Sequence, residues 1–294
     1  MTEDASADGL VLDRARLRAL LERHGLGARQ SFGQHYLVDG GAVRRIVEAV
    51  AADERSTVFE IGPGPGVLTA PLAARAGRVV AVELDRSFEP LLRERLAAFP
   101  HVRLLWQDAL AVDWPALVAA EASGPAKLAA NLPYNVAGPL LARLYAAGGT
   151  FERLVVMVQK EVAERMAAPP GSRVYGFFSV LTQLHAKVER LFTLKPGAFW
   201  PSPKVESAVV RLWPRPAPPV DADPQELLRV ARAAFGQRRK TLANALAAAA
   251  GAPKAEVEAM LRAVGVDPRR RAETLSLEEF AAIATAWPKP AGTA

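Results

Sequence analysis

The chain contains no cysteine. That absence excludes a disulfide scaffold, a thiolate nucleophile and a cysteine-ligated zinc or iron–sulfur centre. Histidine is scarce as well. His24, His35, His101 and His185 are scattered, none at ligand spacing from another, so no metal is expected. Long apolar runs are missing. The longest charge-free stretch, residues 128–142, holds Asn131, Pro133, Asn135 and Pro139 and is too short and too polar to span a bilayer. The first residues carry Glu3, Asp4 and Asp8 where an export signal would place a basic stretch leading into an apolar one. A cytoplasmic protein without a membrane partner is the expectation. Lysine is also rare: 8 of the 37 basic residues are lysine and 29 are arginine.

What is present is globular in character. Half of the 294 residues are hydrophobic and 23% are charged, enough chain for a large domain plus a small one. The net charge is +6. A GC-rich coding sequence accounts for surplus arginine as well as an anionic partner does, so local clustering carries more information. Seven arginines and three acids lie between Asp13 and Arg45, and Arg238-Arg239-Lys240 and Arg269-Arg270-Arg271 form two knots. Such patches suit a polyanion such as nucleic acid, although a single knot is more often a solvated loop or helix end.

Asp13 caps an expected helix stopped by Gly25, and a second helix is expected from Asp39 to Ala51. From residue 57 the pattern alternates. Short apolar runs at 57–61, 78–82, 102–106, 127–130 and 154–158 are followed by helix-like segments at 67–75, 88–98, 114–121, 138–146 and 160–167. This predicts an α/β fold on a parallel sheet. Two further strands are expected at 185–193 and 205–213, as an antiparallel edge. Residues 214–219, four of them proline, read as a stiff linker, and everything beyond reads as helix. The predicted domains are 1–213, with an N-terminal helical segment at 10–51, and 214–294.

Gly62-Pro63-Gly64-Pro65-Gly66 lies at the first strand-to-helix turn, and Glu83 closes the second strand. Glycines there let a ligand approach the backbone, and an acid one unit later can accept from ribose hydroxyls. The dinucleotide pattern wants a third glycine one position later than Gly66, and Pro63 and Pro65 remove two amide donors. Acids around the turn (Glu60, Glu83, Asp108) suit a cationic ligand. These features favour S-adenosylmethionine over a pyrophosphate cofactor, with Asp108 facing the adenine.

Asn131-Leu132-Pro133-Tyr134 follows the fourth strand, where a doubly wound sheet opens its crevice. The Asn131 oxygen and a main-chain carbonyl could accept both N–H groups of an exocyclic amine, aiming its lone pair at a methyl donor. Pro133 stiffens the turn and Tyr134 offers a stacking face. Phe199-Trp200-Pro201-Ser202-Pro203 is a proline-held aromatic segment suited to an exposed platform for an unstacked base.

These blocks, with Phe32-Gly33-Gln34-His35-Tyr36-Leu37 and Phe235-Gly236-Gln237-Arg238-Arg239-Lys240-Thr241-Leu242, resemble the bacterial small-subunit ribosomal RNA adenine dimethyltransferases. The resemblance runs from about residue 30 to the final helix. It implies a Rossmann-like methyltransferase domain with a small all-helical RNA-binding domain. It also implies dimethylation of two adjacent adenosines in a hairpin loop near the 3′ end of 16S ribosomal RNA, with a part in small-subunit biogenesis. The cofactor residues it implies are His35, Leu37, Gly62, Gly64, Glu83, Asp108 and Asn131. Asn131, Leu132, Pro133, Tyr134 and Phe199 would meet the target base, and Arg238, Arg239 and Lys240 would meet RNA. A monomer is expected. One departure stands out: His35 occupies a position where the family usually has asparagine. A large-subunit ribosomal RNA methyltransferase and a non-catalytic ribosome-assembly factor are the alternatives. The Phe235–Leu242 block and the helix opened by Ser276 argue against the first, and the intact glycine turn, Glu83 and Asn131 against the second.

Overall fold

The computed structural model describes residues 9–27, 34–134, 136–237 and 239–287. Arg238, of the first basic knot, and Phe32 and Gly33 lie outside them. Among the described residues nine strands form: β1 (Tyr36–Leu37), β2 (Thr57–Ile61), β3 (Arg78–Glu83), β4 (Val102–Trp106), β5 (Ala126–Asn131), β6 (Arg153–Gln159), β7 (Ala186–Leu194), β8 (Phe199–Trp200) and β9 (Ser207–Pro214). Seven make one sheet in the order β4-β3-β2-β5-β6-β9-β7. The pairs from β4 to β6 are parallel, and β9 runs antiparallel to β6. The two strands expected after residue 185 lie together at that end of the sheet, β9 beside β6 and β7 outermost. The central strands are buried on both faces and mostly apolar (all five residues of β2 are buried, Glu60 among them). β1 and β8 form a separate two-stranded ribbon that pairs Tyr36 with Trp200 and Leu37 with Phe199.

Helix ends follow local chemistry. Asp13 accepts from Arg16 N at 2.8 Å and opens the helix Arg14–Arg23. Asp39 accepts from Ala42 N at 3.0 Å and opens Gly40–Val50. Ser276 and Glu279 form the reciprocal capping box of Leu277–Ala286. Among the described residues no helix is long and apolar enough to cross a membrane.

The chain divides into two units: Met1–Ala163 with Val188–Pro214, and Glu164–Lys187 with Arg215–Ala294. The helical unit also takes an excursion after β6, residues 164–187, which the expected division at 213 left in the first domain. The excursion carries the helix Phe177–His185, so His185 ends a helix and does not open a strand. Its Val180 and Leu184 pack in one buried cluster with Leu227, Val230, Leu242, Leu261 and Phe280. Gln183 Nε2 ties the helix to the Met166 and Ala168 carbonyls at 3.1 and 2.7 Å.

Candidate active site

The sheet order reverses between β2 and β5, and ligand crevices of such sheets open at the carboxyl ends of the strands flanking that point. A cavity of about 390 Å³ lies there, lined by residues of the glycine turn, the end of β3, the end of β5 and the segment around β1. His35, Gly62, Gly64, Glu83, Asn131, Leu132, Pro133 and Tyr134 all line it.

The glycine turn is locked from within. Gly62 N donates to Val82 O at 2.9 Å, Gly64 N to Glu83 Oε2 at 3.0 Å, and Gly66 N to Pro63 O at 2.9 Å. All three glycine amides are thus committed inside the fold, and Pro63 and Pro65 have none. A turn in that state cannot cradle a pyrophosphate, which needs amides pointing at its oxygens. The left-handed backbone of Gly64 (φ +52°) favours glycine, and an added Cβ would also lie 3.1 Å from the Tyr36 ring, which would have to give by a few tenths of an ångström.

Glu83 is held at both oxygens: Oε1 accepts from Asp85 N at 2.9 Å and Oε2 from Gly64 N. Each oxygen keeps a lone pair for a further donor, as a ribose diol would supply. Burial raises its pKa, and those backbone hydrogen bonds oppose the rise. Glu60, one turn away on β2, is almost wholly buried, and among the described residues no hydrogen-bond donor reaches its Oε2. Burial, with the Glu83 charge adding, pushes its pKa from 4.5 to about 8. Glu83, a carboxyl disfavoured as an anion at the cavity wall, would be relieved by a cation, the charge a sulfonium carries.

The Glu60 shift has a stability consequence. Below pH 4.5 both folded and unfolded chains hold the proton, so the group contributes nothing. Between pH 4.5 and 8 the unfolded chain releases it first, and folding is progressively disfavoured. Glu60→Gln should therefore leave stability unchanged near pH 4.5 and raise it by a few kcal/mol, with a ceiling of about 5, near pH 8.5. Urea unfolding at the two pH values measures the gap; equal gaps would remove Glu60 from the account.

On the opposite wall, Asn131 is the last residue of β5, not a residue beyond it, and its Nδ2 donates to the His35 carbonyl at 3.0 Å. Leu132 is buried, with its N–H on Met157 O at 3.1 Å, which carries the strand register into the turn. Tyr134 is fixed at its hydroxyl, 2.6 Å from Ser207 Oγ, and burial raises its pKa.

Three expected site residues are elsewhere. Phe199 is no exposed platform: it is fully buried, paired with Leu37 across the β1–β8 ribbon and packed into the core. Trp200, its neighbour, is half-buried. Leu37 is buried in the same ribbon and does not line the cavity. Asp108 is exposed and also outside the lining, with its Oδ1 capping Leu110 N at 2.9 Å. Sequence reasoning passed over Gln34, Tyr36, Leu84, Phe88 and Val136, which also line the cavity. Leu84 left a signal, as a leucine 60% exposed beside a buried glutamate, but only folding shows its exposure.

The basic knots differ in use. Arg239 and Lys240 are exposed in the connection between the helices Pro224–Phe235 and Leu242–Ala250. In the second knot, Arg270 is engaged with Glu279 and the Thr274 carbonyl, and Arg269 with Asp267 at 3.0 Å. Much of that second cluster is structural.

The chain is similar to known proteins over most of its length. The family model described as ribosomal RNA adenine dimethylase matches residues 25–288. A protein of Pelotomaculum thermopropionicum called ribosomal RNA small subunit methyltransferase A is 45% identical over 288 residues, covering 95% of this chain and 97% of that one. One of the same name from Rhodospirillum rubrum is 47% identical over 272 residues, covering 92% and 91%. Two solved structures share the fold at 24% identity. A dimethyladenosine transferase from Plasmodium falciparum has a TM-score of 0.71 and covers 85% of this chain and 96% of that one. The 23S rRNA methyltransferase ErmE has a TM-score of 0.64 and covers 85% and 98%. With a match over nearly its whole length, a locked glycine turn beside a clamped Glu83, and Asn131 at the end of β5, this chain belongs to the ribosomal RNA adenine dimethylase family.

Proposed function

We propose that the chain transfers methyl groups from S-adenosylmethionine to the exocyclic amines of two adjacent adenosines in a hairpin loop near the 3′ end of small-subunit ribosomal RNA. The observation that carries this reading is the meeting of Asn131 and the Glu83-clamped glycine turn in one cavity. The relatives at 45 and 47% identity, both named for the small subunit, favour that RNA over the large-subunit alternative.

The residues fit the cofactor. Glu83 would hold the ribose and, as a buried acid at the cavity wall, suits a nearby sulfonium, and exposed Leu84 gives an apolar face for a flat ring. When bound, S-adenosylmethionine supplies an electrophilic methyl group. The chain's own residues would do the rest by positioning. An adenine amine is conjugated with its ring and nucleophilic only when its lone pair is turned out of that plane. Asn131 Oδ1 and the Leu132 carbonyl would accept its two N–H groups, and Tyr134 would stack on the ring. No base is required before attack, because the nitrogen becomes acidic only once alkylated. Orientation and exclusion of water would supply most of the rate.

The test is incubation with labelled S-adenosylmethionine and unmodified small subunits, large subunits or DNA, followed by mapping of the labelled nucleotide. Label on two neighbouring adenines of the small-subunit RNA is expected; label confined to large-subunit RNA would replace the reading with its alternative. The exposed pair Arg239 and Lys240 is assigned to phosphate binding. Reversing both charges should flatten the plot of log affinity against log salt by about one unit for each phosphate no longer neutralised, with little change in cofactor binding. An unchanged slope would detach this pair from the RNA.

A further inference from the structure

Arg95 is a largely desolvated guanidinium that nothing so far has used. It closes the helix Glu89–Arg95, and Phe88, Leu92 and Arg95, four and three residues apart, share one face. That face runs along the glycine turn. Phe88 lines the cavity and packs edge-on to Tyr36. Leu92 and Arg95 each stand 3.2 Å from where a Cβ on Gly66 would lie. The guanidinium spans two main-chain carbonyls: Nε donates to Gly66 O at 3.2 Å and Nη2 to Leu10 O at 2.5 Å. Among the described residues no carboxylate is paired with it, and burial alone pulls its pKa down to about 10, so it stays charged at neutral pH. As packing alone such a charge is wasteful, since an apolar side chain of similar volume often serves as well. What the planar fork adds is a span that fixes two carbonyls of distant segments relative to each other, which a single ammonium does not reproduce. Leu10 leads into the helix Arg14–Arg23, whose far end meets the neighbouring Glu94 through Arg23 at 3.2 Å.

We propose that Arg95 is a positioning residue of the methyl-donor site, coupling the seating of the N-terminal segment at Leu10 to the shape of the glycine turn at Gly66. This deepens the cofactor side of the proposed function and rests on it. On its sheet side the turn is held by the Gly62 and Gly64 amides, on Val82 O and Glu83 Oε2. Its far end is Gly66, where the N–H closes the turn on Pro63 O and the backbone is left-handed at φ +78°. Besides Arg95, the Gly66 carbonyl receives a long bond from Ala70 N at 3.4 Å. The guanidinium is thus the closer of the two donors that fix this end, and its other arm rests on residue 10. Coupling of this kind is reciprocal: if the segment at Leu10 steadies the turn, a ligand seated over the turn must steady the segment.

Arg95→Met removes both hydrogen bonds and keeps a long side chain; Arg95→Lys keeps the charge but meets one carbonyl at a time. Each is first shown to be folded by its thermal transition. Calorimetric titration with S-adenosylhomocysteine should give a Kd about ten-fold weaker in Arg95→Met and only partly recovered in Arg95→Lys. With small-subunit RNA, the loss should fall on KM for S-adenosylmethionine much more than on kcat. Glu94→Gln is the control: it loosens the far end of the same N-terminal helix without touching the turn, and its Kd should stay within about two-fold of the parent. Hydrogen exchange supplies the reciprocal measurement. Saturating S-adenosylhomocysteine should slow amide exchange several-fold in residues 10–17 of the parent, none of which lines the cavity. In Arg95→Met that slowing should vanish while protection of the turn persists. A Kd within two-fold of the parent in Arg95→Met would overturn the proposal, as would exchange in residues 10–17 that the ligand leaves unchanged. An equal loss of affinity in Glu94→Gln would overturn it too, by making the effect a general loosening. A parent that fails to bind S-adenosylhomocysteine would sink the proposed function and this proposal with it, whereas tight binding in the parent and in Arg95→Met alike would sink this proposal alone.

Discussion

Asn131→Ala should reduce methyl transfer to small-subunit RNA by about 10²–10³-fold at saturating cofactor, the usual cost of deleting one preorganised hydrogen-bonding group at a reacting centre. Binding of S-adenosylhomocysteine should change only modestly. The split follows from the structure. The Asn131 amide hangs from the last residue of β5, and its Nδ2 is held by the His35 carbonyl. The glycine turn and Glu83 are secured by other bonds, namely those of Gly62, Gly64, Gly66 and Asp85. On the proposed function, removing the amide would strip an acceptor from the target amine and leave the donor side standing. Asn131→Asp is the sharper control. It keeps an acceptor of the same shape but sets a carboxylate oxygen against the His35 carbonyl, so its activity should also collapse. Single-turnover rates with labelled cofactor, beside calorimetric Kd values, decide the matter. Near-parent rates in the alanine variant would remove Asn131 from the chemistry.

What the sequence revealed and what it hid divide by range. The strands of the central sheet are short, mostly apolar runs bounded by turn residues, so their positions and the crevice at their ends could be read locally. Gly62, Gly64, Glu83 and Asn131 sit at those strand ends, and their convergence follows from parallel topology alone. Phe199 did not follow. Its burial depends on pairing with Leu37 in a ribbon of two residues per strand, too short to leave a periodic signal. The excursion at 164–187 was hidden similarly. Pro169, Pro170 and Gly171 look like loop, and the partners of Val180 and Leu184 lie beyond residue 224. Asp108 was placed by analogy of strand order, but its carboxylate turns back to its own loop.

Gly64→Val should abolish cofactor binding, with S-adenosylhomocysteine affinity falling at least 100-fold. Two costs coincide at this position. A β-branched residue at φ +52° is a backbone outlier worth about 1–3 kcal/mol in strain. Its Cβ would also stand 3.1 Å from a Tyr36 ring that has little room to retreat, because Tyr36 is buried, packs edge-on to Phe88 and is paired with Trp200. The turn must therefore shift, and the Gly64 N–H that fixes Glu83 Oε2 shifts with it. Cavity space and carboxylate orientation are lost together. Gly62→Ala provides the comparison: its φ is +67° but no atom lies within 4 Å of the added Cβ, so strain alone is introduced. If crowding against Tyr36 is decisive, the alanine variant retains most of its affinity while the valine variant does not. If both lose it equally, backbone strain suffices and the crowding against Tyr36 is incidental. Calorimetry on the two variants, each first shown to be folded by its thermal transition, distinguishes the cases.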